Sequence, residues 1–255
     1  VKTELAAFVA PLRPVPTTVF LVGGLMMCVH HYYGQGKFFR RVVAGAIGVA
    51  PGEVDYLACL YWPLTALVLY LAVPHLALRL SRRFDPEEGP VHLAGLGLGD
   101  WRFGLRVAAL FYAVMVPILF VVVWNGDFQG KYPLCDEATQ SLTRFVVYEA
   151  GFATYFIAWE YFFRGFLLFG LKRTFGHWTI WVQMLPFVVI HFPKPDLEAI
   201  SSIAGGLALG WLALRTRSIW YGWFVHAATA LTLECLVVAI EEVHDGGREG
   251  ARGDR

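Results

Sequence analysis

Long stretches without charge recur along this chain, separated by short segments that hold Gly, Pro and charged residues. A helix needs about 20 residues to span the hydrocarbon of a bilayer. The apolar runs are continuous rather than alternating, which favours helices over strands. The stretches that contain no Lys, Arg, Asp or Glu and are predicted to span or nearly span a membrane are Pro14–Gly36, Tyr56–Ala77, Val107–Gly126, Thr174–Pro193, Ala199–Leu214 and Ser218–Leu233.

One further stretch, Arg144–Leu171, is predicted to be a single long helix that is apolar except for Glu149, Glu160 and Arg164. With this helix, the pattern predicts an all-α fold, a polytopic transmembrane helical bundle with about seven to eight spans. The whole chain, 1–255, is expected to form a single integral membrane domain. Turn residues and charges mark two loops and a flexible tail, at Ser81–Asp100, Asn125–Gln140 and 245–255.

Composition places the protein in a lipid bilayer. Hydrophobic residues make up 57% of the chain and charged residues 16%, with a mean hydropathy of +0.53, which excludes a soluble domain of this size. The formal net charge of +1 provides no basic surface that could hold nucleic acid. The four cysteines show no CxxC spacing, so neither a zinc knuckle nor a disulfide framework is predicted.

The distribution of Lys and Arg predicts the orientation. Basic residues collect near Ser81, Lys172 and Arg215, whereas the loop that begins at Asn125 is mostly acidic. The positive-inside rule therefore places the helix ends near Ser81, Lys172 and Arg215 in the cytoplasm. The basic segment 37–41 then faces outward and breaks the rule, which implies either an intervening interfacial segment or a span count that is wrong by one.

Ionisable residues inside a membrane are costly, so the few that occur at depth are candidates for a functional site. Glu160 and Arg164 stand four residues apart and share a helix face. His191 lies at the end of an apolar run, and His226 lies inside another. The alternative interpretations are a salt bridge that pins helices together and hydrogen-bonded histidines of the core. The rise of 1.5 Å per residue allows the three spans to bring Glu160, His191 and His226 together within the membrane.

Three short motifs carry a resemblance to a known family. They are Trp159-Glu160-Tyr-Phe-Phe-Arg164-Gly165, Phe187-x-x-x-His191 and His226-x-x-x-Ala230. They resemble the Glu-Glu-x-x-x-Arg, Phe-x-x-x-His and His-x-x-x-Asn or Asp motifs of the CPBP family, which comprises intramembrane endopeptidases similar to CAAX prenyl protease 2 and lysostaphin resistance protein A. The resemblance is strongest over a core at about 145–231.

The resemblance implies that a glutamate and the histidine of the second motif activate a water without a tightly held metal, while the third motif stabilises the oxyanion. This chain departs from the pattern at two positions: Trp159 replaces the first Glu, and Ala230 replaces the Asn or Asp. We therefore assign Glu160 as candidate base, kept ionised by Arg164, with His191 holding the water and His226 donating a hydrogen bond.

The other carboxylates near the motifs do not clearly replace the missing glutamate. Glu149 precedes Glu160 by eleven residues, about 16 Å along a helix, which is too far for direct replacement. Asp196, Glu198 and Glu234 offer no clear replacement either.

The leading hypothesis is an intramembrane endopeptidase without a cofactor that acts on a membrane-associated peptide or protein, in a bacterial inner or plasma membrane. The first alternative is a catalytically inactive relative that binds or protects a partner, motivated by Trp159 and Ala230. A third interpretation is a metal or haem protein, because Glu160, His191 and His226 have the donor count of a zinc site.

Overall fold

The computed structural model describes residues 13–82 and 95–253, with side chains described as far as residue 240. Within these residues the chain is helical and contains no strand, which confirms the all-α prediction. The helices are α1 (Pro14–Tyr33), α2 (36–47), α3 (Pro51–Arg82), α4 (Trp101–Val122), α5 (Gly126–Gln129), α6 (142–175), α7 (Thr179–Val189), α8 (Asp196–Thr216) and α9 (Trp220–Gly253).

Five of the described helices are long and apolar enough to cross a membrane, by length and composition alone: α1, α3, α4, α8 and the Trp220–Ile240 part of α9. The predicted count of seven to eight spans is therefore not confirmed. The other two predicted spans are helical but differ in character. Helix α6 carries Glu160 and Arg164 at its centre, and α7 has only 11 residues.

Helix α6 forms the centre of the molecule. Its residues 158–168 are all buried, and they pack in the main hydrophobic cluster with residues of α1, α3, α7 and α9. Outward-facing side chains are large and apolar instead, such as Leu21 at 69% exposure and Val121 at 73%. A soluble protein would not expose so much apolar surface, whereas lipid covers it without cost. The structure thus agrees with an integral membrane protein.

The ends of α6 follow from local sequence. The Ser141 hydroxyl accepts a hydrogen bond from the Arg144 backbone N–H and caps the first turn. At the other end Gly176 adopts a φ of +56°, a left-handed value that stops the helix after Phe175. Between these ends the stretch Tyr161–Leu168 is a π-helix, which directly follows Glu160. Such local widening of a helix is common at functional sites.

Helices α7 and α8 pack closely and position the turn that holds His191. The Gln183 side-chain amide donates to the carbonyl oxygens of Ile180 at 3.0 Å and Gly206 at 2.8 Å. A Cβ added at Gly210 would come within 2.9 Å of the Gln183 amide nitrogen, so the close approach requires glycine there. Buried polar side chains in a bundle stabilise it only when they find such partners.

A disulfide contradicts the sequence-based prediction for the cysteines. Cys59 of α3 is bonded to Cys135, 76 residues away, in the segment that precedes α6. The pairing was missed because connectivity between distant cysteines leaves no spacing pattern in a sequence. Disulfides persist in oxidising compartments, which agrees with the predicted orientation of the Asn125 loop away from the cytoplasm.

The basic segment that broke the positive-inside rule forms a short helix, α2, between α1 and α3. Arg40 of this helix pairs with Asp55 at the start of α3, and both side chains are about half exposed. The basic segment is therefore a separate helix between α1 and α3, and the orientation inferred from the basic residues stays a prediction. Residues 83–94 of the predicted Ser81–Asp100 loop lie outside the described residues, and the side chains of the predicted tail do too.

Candidate active site

Helices α6 and α9 bring three of the predicted site residues into direct contact. The guanidinium Nη1 of Arg164 donates to Glu160 Oε1 at 2.7 Å, which confirms the helix-face pairing inferred from the spacing of four residues. His226 of α9 places its Nδ1 2.9 Å from the same oxygen. The carboxylate of Glu160 thus joins a cation on its own helix to an imidazole on another.

The Glu160–Arg164 pair is completely enclosed, because both side chains are 0% exposed. Isolated charges at such depth would be prohibitively costly, so each requires the other. The Arg164 guanidinium also lies 4.3 Å from the centre of the Phe187 ring, a cation–π contact. Glycine at 222 makes room for the carboxylate, since a Cβ there would come within 2.6 Å of Glu160 Oε2.

The contact with Glu160 determines the tautomer of His226. A carboxylate that is held by a guanidinium is ionised and only accepts hydrogen bonds, so Nδ1 of His226 carries the proton. In the neutral ring Nε2 then has a free lone pair. The His226 side chain is 18% exposed, unlike the glutamate behind it. The carboxylate orients the imidazole, as in a carboxylate–histidine pair of a hydrolase.

His191 has the same arrangement of its ring nitrogens. It lies in the turn directly after α7, where its Nδ1 is 2.6 Å from the carbonyl oxygen of Phe187. A carbonyl oxygen only accepts, so Nδ1 donates and Nε2 is again the free base. The side chain is 7% exposed. The Phe-x-x-x-His spacing is explained by this bond, since residues four apart lie one helical turn from each other.

Two aromatic rings connect the histidines. The Phe187 ring centre lies 4.6 Å from that of His191 and 5.9 Å from that of His226. The Trp159 ring lies 6.0 Å and 6.3 Å from the same two imidazoles, and it is nearly perpendicular to both. The structure therefore gathers Glu160, Arg164 and His226 by direct contact and His191 through these rings. Sequence reasoning missed Phe187 and Gly222 as contributors, although Phe187 already stood in the second motif.

Trp159 and Ala230, the two departures from the family pattern, both lie beside this cluster. Trp159 is 9% exposed and packs within the main hydrophobic cluster. Ala230, one helical turn after His226, is partly buried against the same cluster. The polar groups of the family motifs are thus replaced here by an indole and a methyl group.

Two of the other acids, Glu234 and Glu198, bind residues outside this site. Glu234 accepts hydrogen bonds from the Leu134 backbone N–H at 3.2 Å and the Tyr148 hydroxyl at 3.4 Å. Glu198 accepts from the Tyr132 hydroxyl at 2.7 Å. Burial raises the pKa of Tyr132 above its ordinary value, and the Glu198 charge adds to this effect, so the phenol stays protonated. The structure gives no sign that these acids replace the missing glutamate.

The zinc interpretation requires three protein ligands that converge. In the described residues the only group of three or more His, Cys, Asp or Glu side chains with ligand atoms within 4.8 Å of one another is Cys59, Cys135 and Glu137, whose two sulfurs form the disulfide. At the candidate site Glu160 Oε1 is already bound by Arg164 and His226. Among the described residues Glu160, His191 and His226 do not form such a group, so as placed they do not converge on a metal.

In a comparison with known families, residues 142–232 match the family described as type II CAAX prenyl endopeptidase Rce1-like. This range contains all four predicted site residues. Residues 142–232 form an Rce1-like domain. The family predicted from the three motifs is thereby confirmed, and the matched range agrees with the predicted core at about 145–231.

No curated protein and no solved structure matches the chain. At the level of the family, the Rce1-like domain indicates a CAAX-type intramembrane protease, a hydrolase that acts in a lipid bilayer on a membrane-associated substrate. The matched range starts at the first residue of α6 and ends inside α9, so it contains every element that contributes to the site.

Proposed function

We propose that this protein is an endopeptidase of the bacterial inner or plasma membrane that hydrolyses a peptide bond of a membrane-associated protein or peptide. The observation that carries the proposal is the pair of oriented imidazoles. His191 and His226 each have Nδ1 held by an acceptor, which leaves Nε2 as the basic nitrogen, and both rings pack against Phe187. Such bases are what water activation requires.

Burial supports the following division of roles within the site. Glu160 is 0% exposed and its Oε1 is doubly bound, so it acts on water through His226 rather than directly. This moves the proton-accepting role expected for Glu160 to the His226 ring. The glutamate stabilises the imidazolium that forms, and Arg164 keeps the glutamate ionised. His191 holds the water through its own Nε2.

The reaction then proceeds by ordinary hydrolysis. The water oxygen attacks the carbonyl carbon while His226 Nε2 takes one of its protons, and the carbonyl π electrons move to oxygen. The tetrahedral intermediate collapses as the C–N bond breaks, and the imidazolium returns the proton to the leaving amine. The products are a carboxylic acid and an amine, which exchange a proton to give a carboxylate and an ammonium group, and no oxidant or metal takes part.

The test is cleavage of membrane-anchored peptides by the protein purified in detergent, with product masses as the readout. His226→Ala and His191→Ala are expected to lose at least about a hundredfold in rate, the usual contribution of an acid–base group. His177→Ala provides a matched control, because this exposed histidine lies in the turn before α7, at the opposite end from His191. Equal cleavage by all variants would remove both histidines from the mechanism.

A second candidate function is binding without catalysis, and the position of Trp159 favours it. The indole fills the place of the family's first glutamate beside both imidazoles. Under this alternative the protein holds a hydrophobic segment of a partner without hydrolysing it. Restoring the family residues in a Trp159→Glu, Ala230→Asn variant discriminates the two: proteolysis gained only by the variant supports a binding protein, whereas cleavage by the natural chain supports the enzyme.

A further inference from the structure

The indole of Trp159 has an unusual property for a core side chain. Its Nε1 atom is buried and has no hydrogen-bond acceptor among the described residues. Buried donors in folded proteins are nearly always paired, so one without a partner requires an explanation. Two indoles of α9 illustrate the norm: Trp220 donates to the Leu96 carbonyl oxygen at 2.7 Å and Trp223 to that of Ala153 at 2.9 Å.

The ring that carries this unpaired donor packs beside the candidate active site. The Trp159 ring is within 6.3 Å of both imidazoles, centre to centre, and it also packs against aromatic rings of α3 and α6. Tyr155 and Phe163 pack at 5.1 and 5.3 Å. A ring held this firmly keeps its N–H in place without further ordering, which is the requirement for a preorganised donor.

We propose that the Trp159 indole N–H binds the carbonyl oxygen of the scissile peptide bond and stabilises the oxyanion. This inference rests on the proposed function. An indole only donates and a carbonyl oxygen only accepts, so the two groups match. The bases, by contrast, are already supplied by the Nε2 atoms of His191 and His226.

The assignment gives Trp159 a different hydrogen-bonding role from the residue that it replaces. A carboxylate at this position would accept a proton from water, whereas an indole cannot. When water attacks, the new C–O bond forms, the water proton goes to His226 Nε2, and the carbonyl electron pair becomes an oxyanion next to the indole N–H. When the C–N bond breaks, the carbonyl re-forms and the hydrogen bond weakens again. Trp159 exchanges no proton.

The first experiment compares Trp159→Phe with the natural chain on a cleaved membrane-anchored peptide. Phenylalanine keeps an aromatic ring at this position and removes the N–H donor together with part of the bicyclic ring. Loss of one oxyanion donor lowers kcat by about 100- to 1000-fold, and KM is expected to change little because the bond strengthens only in the transition state. Trp181→Phe, on a half-exposed tryptophan of α7, is the control. A kcat for Trp159→Phe within about twofold of the natural value overturns the proposal.

The second experiment separates this inference from the proposed function. The protein is labelled with ¹⁵N-tryptophan, and the Trp159 indole resonance is assigned by its absence in Trp159→Phe. A membrane-anchored peptidyl phosphonate, whose anionic oxygen mimics the oxyanion, is then added. A downfield shift of the Trp159 proton supports the proposal even if no tested peptide is cleaved, in which case the proteolytic function alone fails. An unchanged resonance overturns the Trp159 proposal while leaving proteolysis intact.

Discussion

Removing the charge of Glu160 is expected to destabilise the protein strongly, whatever its effect on activity. In Glu160→Gln the shape of the side chain is kept and its carbonyl still accepts from His226. The Arg164 guanidinium, 0% exposed and 2.7 Å from the carboxylate, loses its counter-charge. Breaking a fully buried ion pair by removing one partner costs about 3–5 kcal/mol.

The structure offers a matched control on the same helix. Arg144 pairs with Glu53 at 2.6 Å, but the two side chains are 25% and 47% exposed. The same change in Glu53→Gln is therefore expected to cost only about 0–1 kcal/mol, because solvent screens the pair. The Glu160–Arg164 and Glu53–Arg144 ion pairs have similar lengths, so the difference in stability loss between the two variants measures the effect of burial rather than of geometry.

The assay is the free energy of unfolding in detergent micelles, from denaturant titration followed by circular dichroism. A double variant, Glu160→Leu with Arg164→Met, removes both charges and is expected to recover most of the stability that Glu160→Gln loses, since no charge remains unpaired. A Glu160→Gln protein within 1 kcal/mol of the natural chain, or no less stable than Glu53→Gln, would refute the enclosed ion pair.

Two further predictions concern packing around the site. Gly222→Ala is expected to lower the rate of peptide cleavage and the melting temperature, because the new Cβ would meet Glu160 Oε2 at 2.6 Å and displace the carboxylate from His226. Gly24→Ala serves as the control, because a Cβ there would have no atom within 4 Å. Equal cleavage rates and melting temperatures of the two variants would contradict the close approach at Gly222. Cys59→Ser removes the disulfide between two residues that are 76 positions apart in the chain. The variant is expected to lose about 2–5 kcal/mol of unfolding free energy, measured under non-reducing conditions. A natural chain that is equally stable with and without reductant would contradict the disulfide.

The helices and the main ion pair could be predicted from the sequence because both depend on local periodicity. Apolar runs identified the long helices, and the four-residue spacing identified the Glu160–Arg164 contact. The shortness of α7 could not be read from its charge-free stretch, since Thr174–Pro193 contains the end of α6 and the His191 turn as well. Hydropathy registers the absence of charge and does not register where a helix ends.

The site's chemistry depended on contacts that no spacing reveals. Only the three-dimensional packing shows that the Nδ1 atom of His226 contacts Glu160 and that the Nδ1 atom of His191 contacts the Phe187 carbonyl oxygen. The sequence also does not show that the Glu160 side chain is fully buried. A glutamate in this motif is expected to contact water. The Cys59–Cys135 bond joins residues that the chain separates widely, so the pairing becomes visible only when α3 and the segment before α6 are placed together.

Hydrolysis in ¹⁸O-labelled water tests the central claim most directly. The protein is incubated with a membrane-anchored peptide, and the products are weighed by mass spectrometry. We expect one cleavage product with a single ¹⁸O in its new carboxylate, formed by the natural chain and not by His191→Ala or His226→Ala. Unlabelled product, or labelled product formed equally by the histidine variants, would contradict water activation by these two imidazoles.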